Sequence, residues 1–145
     1  MKVLFVCKHN LGRSQIAQAF YNHLTGTNDA KSAGTFIGMY SEKTLGEFHQ
    51  ETRAVRIMRE IGVDMTKAPR SQITPALTRG ADQIVSFLPR TELPEWLQDD
   101  ARVQVWLVKN YPASDMTAVR QQRDEIIKKV RKLAKTVESS AATEE

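Results

Sequence analysis

The strongest constraint on this chain lies between residues 7 and 14. There Cys7-Lys8-His9-Asn10-Leu11-Gly12-Arg13-Ser14 joins an apolar run, Val3-Leu4-Phe5-Val6, to a helical pattern, Gln15-Ile16-Ala17-Gln18-Ala19-Phe20. A strand that hands over to a helix through a short loop leaves the loop's N–H groups at a helix N-terminus, without intrahelical partners. With the helix dipole behind them they form an anion site, and the loop can curl its amides inward into a nest. Arg13 adds a planar fork that grips two oxygens at once. The same field favours a thiolate at Cys7, the nucleophilic form of a cysteine. Ser14 can donate its hydroxyl to the sulfur and can also cap the helix. Gly12 supplies backbone freedom where the amides converge, and Asn10 tolerates left-handed backbone and can tie the loop together. Lys8, His9 and Leu11 complete the loop. His9 is expected to face solvent and not to act as a base, since the amides face the anion.

A cysteine that ends a buried strand can also be no more than a small core residue. What favours chemistry here is the junction, the five-residue spacing to Arg13 and the serine directly after it. The loop is not a nucleotide-binding one, because G-x-x-x-x-G-K-[ST] is absent.

Apolar periods alternate between strand and helix along the chain, which predicts an α/β layer architecture. Strands are expected near Lys2–Val6, Ala30–Ala33, Gln83–Phe87 and Gln104–Val108. Helices are expected over Arg13–Leu24, with Ile16, Ala19, Phe20 and Leu24 inward, and over Leu45–Ile61, burying Phe48, Val55, Met58 and Ile61. Gly62 would close that second helix. A short helix starts at Thr74-Pro75, and a last one spans Asp115–Val137, with Val119, Ile126, Val130, Leu133 and Val137 inward. The polar residues 139–145 are expected to fray, leaving one domain over residues 1–138. Consecutive βα units favour parallel strands with right-handed crossovers.

Length and composition exclude several classes. A chain of 145 residues can bury about two-thirds of its unfolded surface. A hydrophobic share of 41% and a charged share of 26% describe a globular protein. No apolar run is long enough for a membrane span, and Met1-Lys2 runs straight into the first strand with no leader pattern, so a cytoplasmic protein is expected. The single cysteine forbids an internal disulfide, and three histidines at unhelpful spacings argue against a zinc site. The net charge of +4 gathers in the last helix, at Lys128, Lys129, Arg131, Lys132 and Lys135. A solvated helix face explains it, and features for reading nucleic acid are lacking.

The stretch VLFVCKHNLGRSQIAQAF resembles the low-molecular-weight protein tyrosine phosphatase family, which includes the thioredoxin-type arsenate reductases. Further matches follow in order: Ser32-Ala33-Gly34-Thr35, the helix end Met58-Arg59-Glu60-Ile61-Gly62-Val63-Asp64-Met65, the strand Ala81-Asp82-Gln83-Ile84-Val85, and Trp106 followed by Arg123-Asp124-Glu125-Ile126. The resemblance implies a three-layer αβα, flavodoxin-like phosphotyrosine phosphatase I fold, with a four-stranded parallel sheet in the order 2-1-3-4. Cys7 would then close the first strand in the crevice where the strand order reverses. It also implies that Ser32 orients Asn10, and that Phe36, Met39 and Tyr40, with Tyr111, form a substrate wall suited to an aryl ester. No cofactor or metal is implied.

Two departures stand out. Where the family carries the Asp-Pro of its general acid, this chain has Asn110-Tyr111, and asparagine donates no titratable proton. Asp115 is the nearest carboxylate that could substitute, although with Ser114 it is placed to cap the last helix. The second departure is the lack of further cysteines, which thioredoxin-coupled arsenate reductases use to resolve their adduct; Ser86–Arg90 stands where one would be expected, and Gly12 where eukaryotic phosphatases often carry a second thiol. Three readings follow. The first is a cysteine-dependent phosphomonoesterase acting on a phosphorylated protein or small aryl phosphate. The second is an arsenate reductase served by an external thiol or glutaredoxin-like partner. The third is a non-catalytic binder of phosphate or phosphopeptide. Each has a phosphate- or sulfate-type oxyanion in the loop, and none involves nucleic acid or membrane.

Overall fold

The computed structural model describes residues 1–108 and 114–144, with residues 138–144 in backbone only. Four strands, β1 (Val3–Cys7), β2 (Ala30–Gly34), β3 (Gln83–Ser86) and β4 (Val103–Val105), form one sheet in the order β2-β1-β3-β4. All pairings are parallel, with Cys7 opposite Gly34 and Val6 opposite Ser86. Between and after them run the helices α1 (Arg13–Thr25), α2 (Arg53–Arg59), α3 (Pro75–Arg79), α4 (Glu95–Gln98) and α5 (Met116–Glu144). The expected α/β architecture and strand order are those observed.

Strand alternation builds two cores. Val3, Phe5 and Val85 face α1, α2 and α5, joining Ile16, Tyr21, Ile57, Met58, Ile126 and Val130. Leu4, Val6, Ile84 and Val103 face the other side, joining Ile73, Leu93 and Leu97. Phe5 packs against Tyr21, Phe87 and Trp106 with ring centroids 5.9–6.4 Å apart. β1 is buried on both faces, so its last residue, Cys7, emerges from a rigid layer.

Several boundaries differ from expectation. The helix predicted over Leu45–Ile61 is a 3-10 turn at Leu45–Glu47 followed, after a break, by α2. The turn is tied to the segment 66–68, with the Leu45 and Gly46 N–H groups donating to the Ala68 and Thr66 carbonyls, and Gly46 runs so close to Thr66 that a Cβ would sit 2.5 Å from the Thr66 carbonyl oxygen. Thr52 then starts α2 by accepting the Val55 N–H. Phe48 is consequently only half-buried, and Ile61, past the helix end, is exposed. Gly62 does take the left-handed conformation, φ 82°. In α1 the buried face runs through Ile16, Ala17, Phe20 and Tyr21, and Leu24 is exposed. α5 continues seven residues beyond Val137, so residues 139–144, expected to fray, are helical in backbone.

The last helix is fixed through charge. Arg120 donates to both Glu60 carboxylate oxygens, and Arg123 to Glu60 and to the Ile57 carbonyl. These contacts, Arg120 first, hold the Glu60 carboxyl below its ordinary range. A second clamp joins Arg102 to Asp100 through Nε and Nη2, at 3.1 and 2.8 Å, while its Nη1 donates to the Thr78 and Ala81 carbonyls. The Arg102 side chain, then its main-chain N–H, lower the Asp100 carboxyl from 3.8 to about 2. A carboxyl held low in the folded state stabilises it above the unfolded value, and that contribution is lost as the pH falls through the folded one. Asp100→Asn is therefore expected to lower the melting temperature at neutral pH, with the gap from wild type closing between about pH 4 and pH 2. A gap unchanged at pH 2 would contradict the assignment.

Candidate active site

Cys7 ends β1, and residues 8–12 form the loop that delivers the chain to α1. Asn10 takes the left-handed conformation, φ 55°, alone among the described non-glycine residues. Gly12 does not: its φ is −127°, and a Cβ there would meet nothing within 4 Å. The left-handed backbone that Asn10 is expected to tolerate is thus present, and Gly12 does not share it. The glycine that the loop demands is Gly34, on the neighbouring strand, where a Cβ would lie 2.7 Å from the Lys8 carbonyl oxygen and 3.0 Å from the Asn10 nitrogen.

Asn10 is fully buried, and its side chain uses every polar valence. Its Oδ1 accepts from the Ser71 N–H at 2.9 Å and from Gln15 Nε2 at 3.2 Å. Its Nδ2 must then face the other way, and donates to Ser14 Oγ at 2.8 Å and Ser32 Oγ at 3.0 Å. The expected Ser32–Asn10 contact is present. The Ser32 hydroxyl passes its own hydrogen to Gln18 Oε1. Ser14 does not cap α1, which has Gly12 at its N-cap and no side-chain cap. Instead its hydroxyl lies 2.9 Å from Cys7 Sγ. Because Asn10 donates into Ser14 Oγ, the Ser14 hydrogen is free to be given to a thiolate. Both Cys7 and Ser14 are buried.

Among the described residues, no hydrogen bond within the protein takes up the main-chain N–H groups from Lys8 to Ser14. Arg13, half-buried at the first turn of α1, donates one Nη1 hydrogen to the Phe87 carbonyl at 3.1 Å. That bond anchors the guanidinium across the end of β3 and leaves other donors of the fork for an anion. A loop of free amides, an anchored guanidinium and a sulfur with a hydroxyl donor together can hold a tetrahedral oxyanion over the nucleophile. Leu11 and Gly12 also border a groove of about 350 Å³, walled by Thr52, Arg53, Ile57 and Val119. Another hollow of similar size, lined by Lys2, Leu4, Asp29 and Ala81, holds none of these residues.

Phe36, Met39 and Tyr40 are exposed, as a substrate wall requires. His9 departs from its expected solvent-facing role: it is half-buried, its Nδ1 donates to the Phe36 carbonyl at 3.0 Å, and its ring lies 6.4 Å from Phe36 and 6.0 Å from Tyr40. The side chain thus joins the wall. Lys8 is exposed. Asn110 and Tyr111 lie outside the described residues. Asp115 sits at the start of α5, its Oδ1 accepting from the Thr117 and Ala118 N–H groups at 3.0 and 3.2 Å. Among the described residues no cluster of His, Cys, Asp and Glu is arranged to hold a metal ion, and no helix is long and apolar enough to cross a membrane.

Sequence reasoning missed Gln15, which is buried and tethers Asn10 to the Pro69 carbonyl. It also missed Arg70, buried behind the loop with its Nη2 3.0 Å from the His9 carbonyl oxygen. Gln15 reads as one more polar position in a helical pattern, and Arg70 belongs to no local pattern.

The profile of the family described as low molecular weight phosphotyrosine protein phosphatase matches residues 2–143. A glutaredoxin arsenate reductase from Synechocystis is 26% identical over 138 residues, covering 91% of this chain and 95% of its own. A low molecular weight protein tyrosine phosphatase from T. tengcongensis superimposes with a TM-score of 0.73 at 21% identity, over 94% of this chain and 99% of its own. The YwlE arginine phosphatase from Geobacillus stearothermophilus superimposes with a TM-score of 0.78 at 17% identity, over 99% and 97%.

Proposed function

We propose that this chain, which belongs to the low molecular weight phosphotyrosine protein phosphatase family, hydrolyses aryl phosphate monoesters of the phosphotyrosine type through a phosphocysteine at Cys7. The observation that carries the proposal is the set of main-chain N–H groups from Lys8 to Ser14, which no described residue takes up, around a sulfur that already has a hydroxyl donor. The Cys7 thiolate attacks phosphorus in line, forming the S–P bond as the P–O ester bond breaks. Arg13 and the amides neutralise the equatorial oxygens, where charge gathers in the transition state. Water then attacks phosphorus, the S–P bond breaks, and phosphate leaves as the thiolate returns to its contact with Ser14.

The exposed aromatic wall favours an aryl group on the ester. The reading also explains how the reaction proceeds with Asn110 at the acid position: a phenolate with a low proton affinity departs with little protonation. Asp115 is a poor replacement, because its Oδ1 is already committed to two amides of α5. Restoring the acid with Asn110→Asp is expected to raise turnover of phosphotyrosine by up to about 10²-fold and of para-nitrophenyl phosphate far less. Equal gains on both esters would contradict this account of the leaving group.

The second reading has its own support. Arsenate has the same charge and shape as phosphate and would occupy the same cradle, and one relative is a glutaredoxin arsenate reductase. With Cys7 the only cysteine, the adduct would have to be resolved by a thiol from another molecule. The deciding experiment assays one preparation with para-nitrophenyl phosphate, phosphotyrosine and phosphoarginine, and with arsenate in the presence of glutathione and glutaredoxin. Hydrolysis of the aryl esters is expected. Thiol-dependent arsenate reduction without ester hydrolysis would select the second reading.

A further inference from the structure

Arg70 is among the most buried charged side chains in the chain, at 7% exposure, and among the described residues it pairs with no carboxylate. All its hydrogen-bond acceptors are main-chain carbonyls, and they come from two functional segments. Nη2 donates to His9 in the anion loop, at 3.0 Å, and to Ile37, at 3.1 Å. Nη1 donates to Glu42 at 2.7 Å and to Tyr40 at 3.3 Å. Its guanidinium carbon lies 5.6 Å from the centre of the Tyr40 ring and 5.8 Å from that of Phe48. The strap 36–42, which carries the wall, is therefore held by both prongs of one fork, and Nη2 also holds the loop. Two residues on, the same segment makes a second such contact: Gln72 donates to the Thr35 carbonyl at 2.8 Å and accepts the Ile37 N–H at 3.1 Å.

A buried cation without a counter-ion is costly, and a strap whose carbonyls only needed capping could take those hydrogen bonds from neutral donors. The guanidinium does what neutral donors do not: one planar group reaches four acceptors and lies over the Tyr40 ring. On the aryl-phosphate reading above, we infer that Arg70, assisted by Gln72, is the positioning residue that sets the distance between the anion loop and the aromatic wall. The preference for an aryl group is then a property of this brace as much as of the wall itself. The loop has independent anchors in Gln15 and the Ser71 N–H, so oxyanion affinity and aryl preference are separable.

The test uses binding alone, which removes leaving-group effects. Dissociation constants for benzylphosphonate, methylphosphonate and vanadate are measured on the wild type, Arg70→Met, Arg70→Lys and Gln72→Leu. The preference for benzyl over methyl is expected to fall about tenfold in both Arg70 variants, the size of a lost aromatic contact. Lysine fails to restore it, because a compact ammonium cannot span the four carbonyls. Vanadate affinity is expected to change less than about threefold, which general loosening of the fold would not permit. Gln72 is exposed, so its variant carries the test if the Arg70 variants do not fold, with a smaller fall in the same ratio. An unchanged ratio in folded variants overturns the inference and leaves the functional reading standing. A wild type with no benzyl preference overturns the inference, and one that also binds no vanadate overturns both.

Discussion

Cys7→Ser is expected to abolish turnover of para-nitrophenyl phosphate, with a loss of at least about 10⁴-fold, while the fold and the oxyanion affinity survive. The size of the effect follows from the surroundings of the sulfur. Sulfur is intrinsically the stronger nucleophile of the two; a serine hydroxyl needs a base to take its proton. The atom nearest to Cys7 Sγ among its hydrogen-bond partners is the Ser14 hydroxyl, and Ser14 is itself loaded with the Asn10 amide hydrogen. His9 does not help, since its ring is turned to the Phe36 carbonyl and packs beside Phe36 and Tyr40, and among the described residues no hydrogen bond joins it to Cys7 or Ser14. The replacement is nearly isosteric and is buried among groups that accept a hydroxyl, so circular dichroism and melting temperature should be little altered. Residual activity within about tenfold of wild type would place the nucleophile elsewhere.

Arg13→Ala is expected to act on binding as well as on rate. The guanidinium supplies the only side-chain cation in the motif that is anchored across the sheet, through the Phe87 carbonyl. On the proposed mechanism its loss removes the guanidinium donors left free for oxygens that gain charge in the transition state, and removal of one such donor typically costs 10²–10³-fold in rate. A fall of about 10³-fold in kcat, with vanadate binding weakened in parallel, is the expected outcome. Arg13→Lys should recover little, because an ammonium on a flexible stem does not reproduce the fork. Equal vanadate affinity in wild type and Arg13→Ala would remove the arginine from the cradle.

How far the sequence anticipates these contacts depends on how local each one is. The strand–loop–helix junction is local, and so the placement of Cys7, Asn10, Arg13 and Ser14 together is legible from eight consecutive residues. The alternation of apolar periods likewise predicts the layers, because each strand and helix must bury one face. The break inside the predicted Leu45–Ile61 helix is not legible, since the turn at its start is tied by hydrogen bonds to Thr66 and Ala68, some twenty residues on. Nor is the need for Gly34, which arises only once β2 lies beside the loop. Arg70 is the clearest case: its partners stand 28 to 61 residues away in sequence, and no period or motif around Pro69-Arg70-Ser71 announces them. Gly12 errs in the opposite direction, because a glycine in a tight loop invites a conformational argument that the observed φ does not support.

A covalent bond between Cys7 and phosphorus is the central step of the proposed reaction, and rapid-quench mass spectrometry measures that bond directly. Wild-type protein is mixed with para-nitrophenyl phosphate, quenched in acid within the first turnover, digested and analysed for phosphate on the peptide that carries Cys7. The account predicts a phosphocysteine at Cys7 that forms as fast as the first equivalent of nitrophenol is released and is absent from Cys7→Ser. Steady release of nitrophenol with Cys7 unmodified at every time point would contradict it.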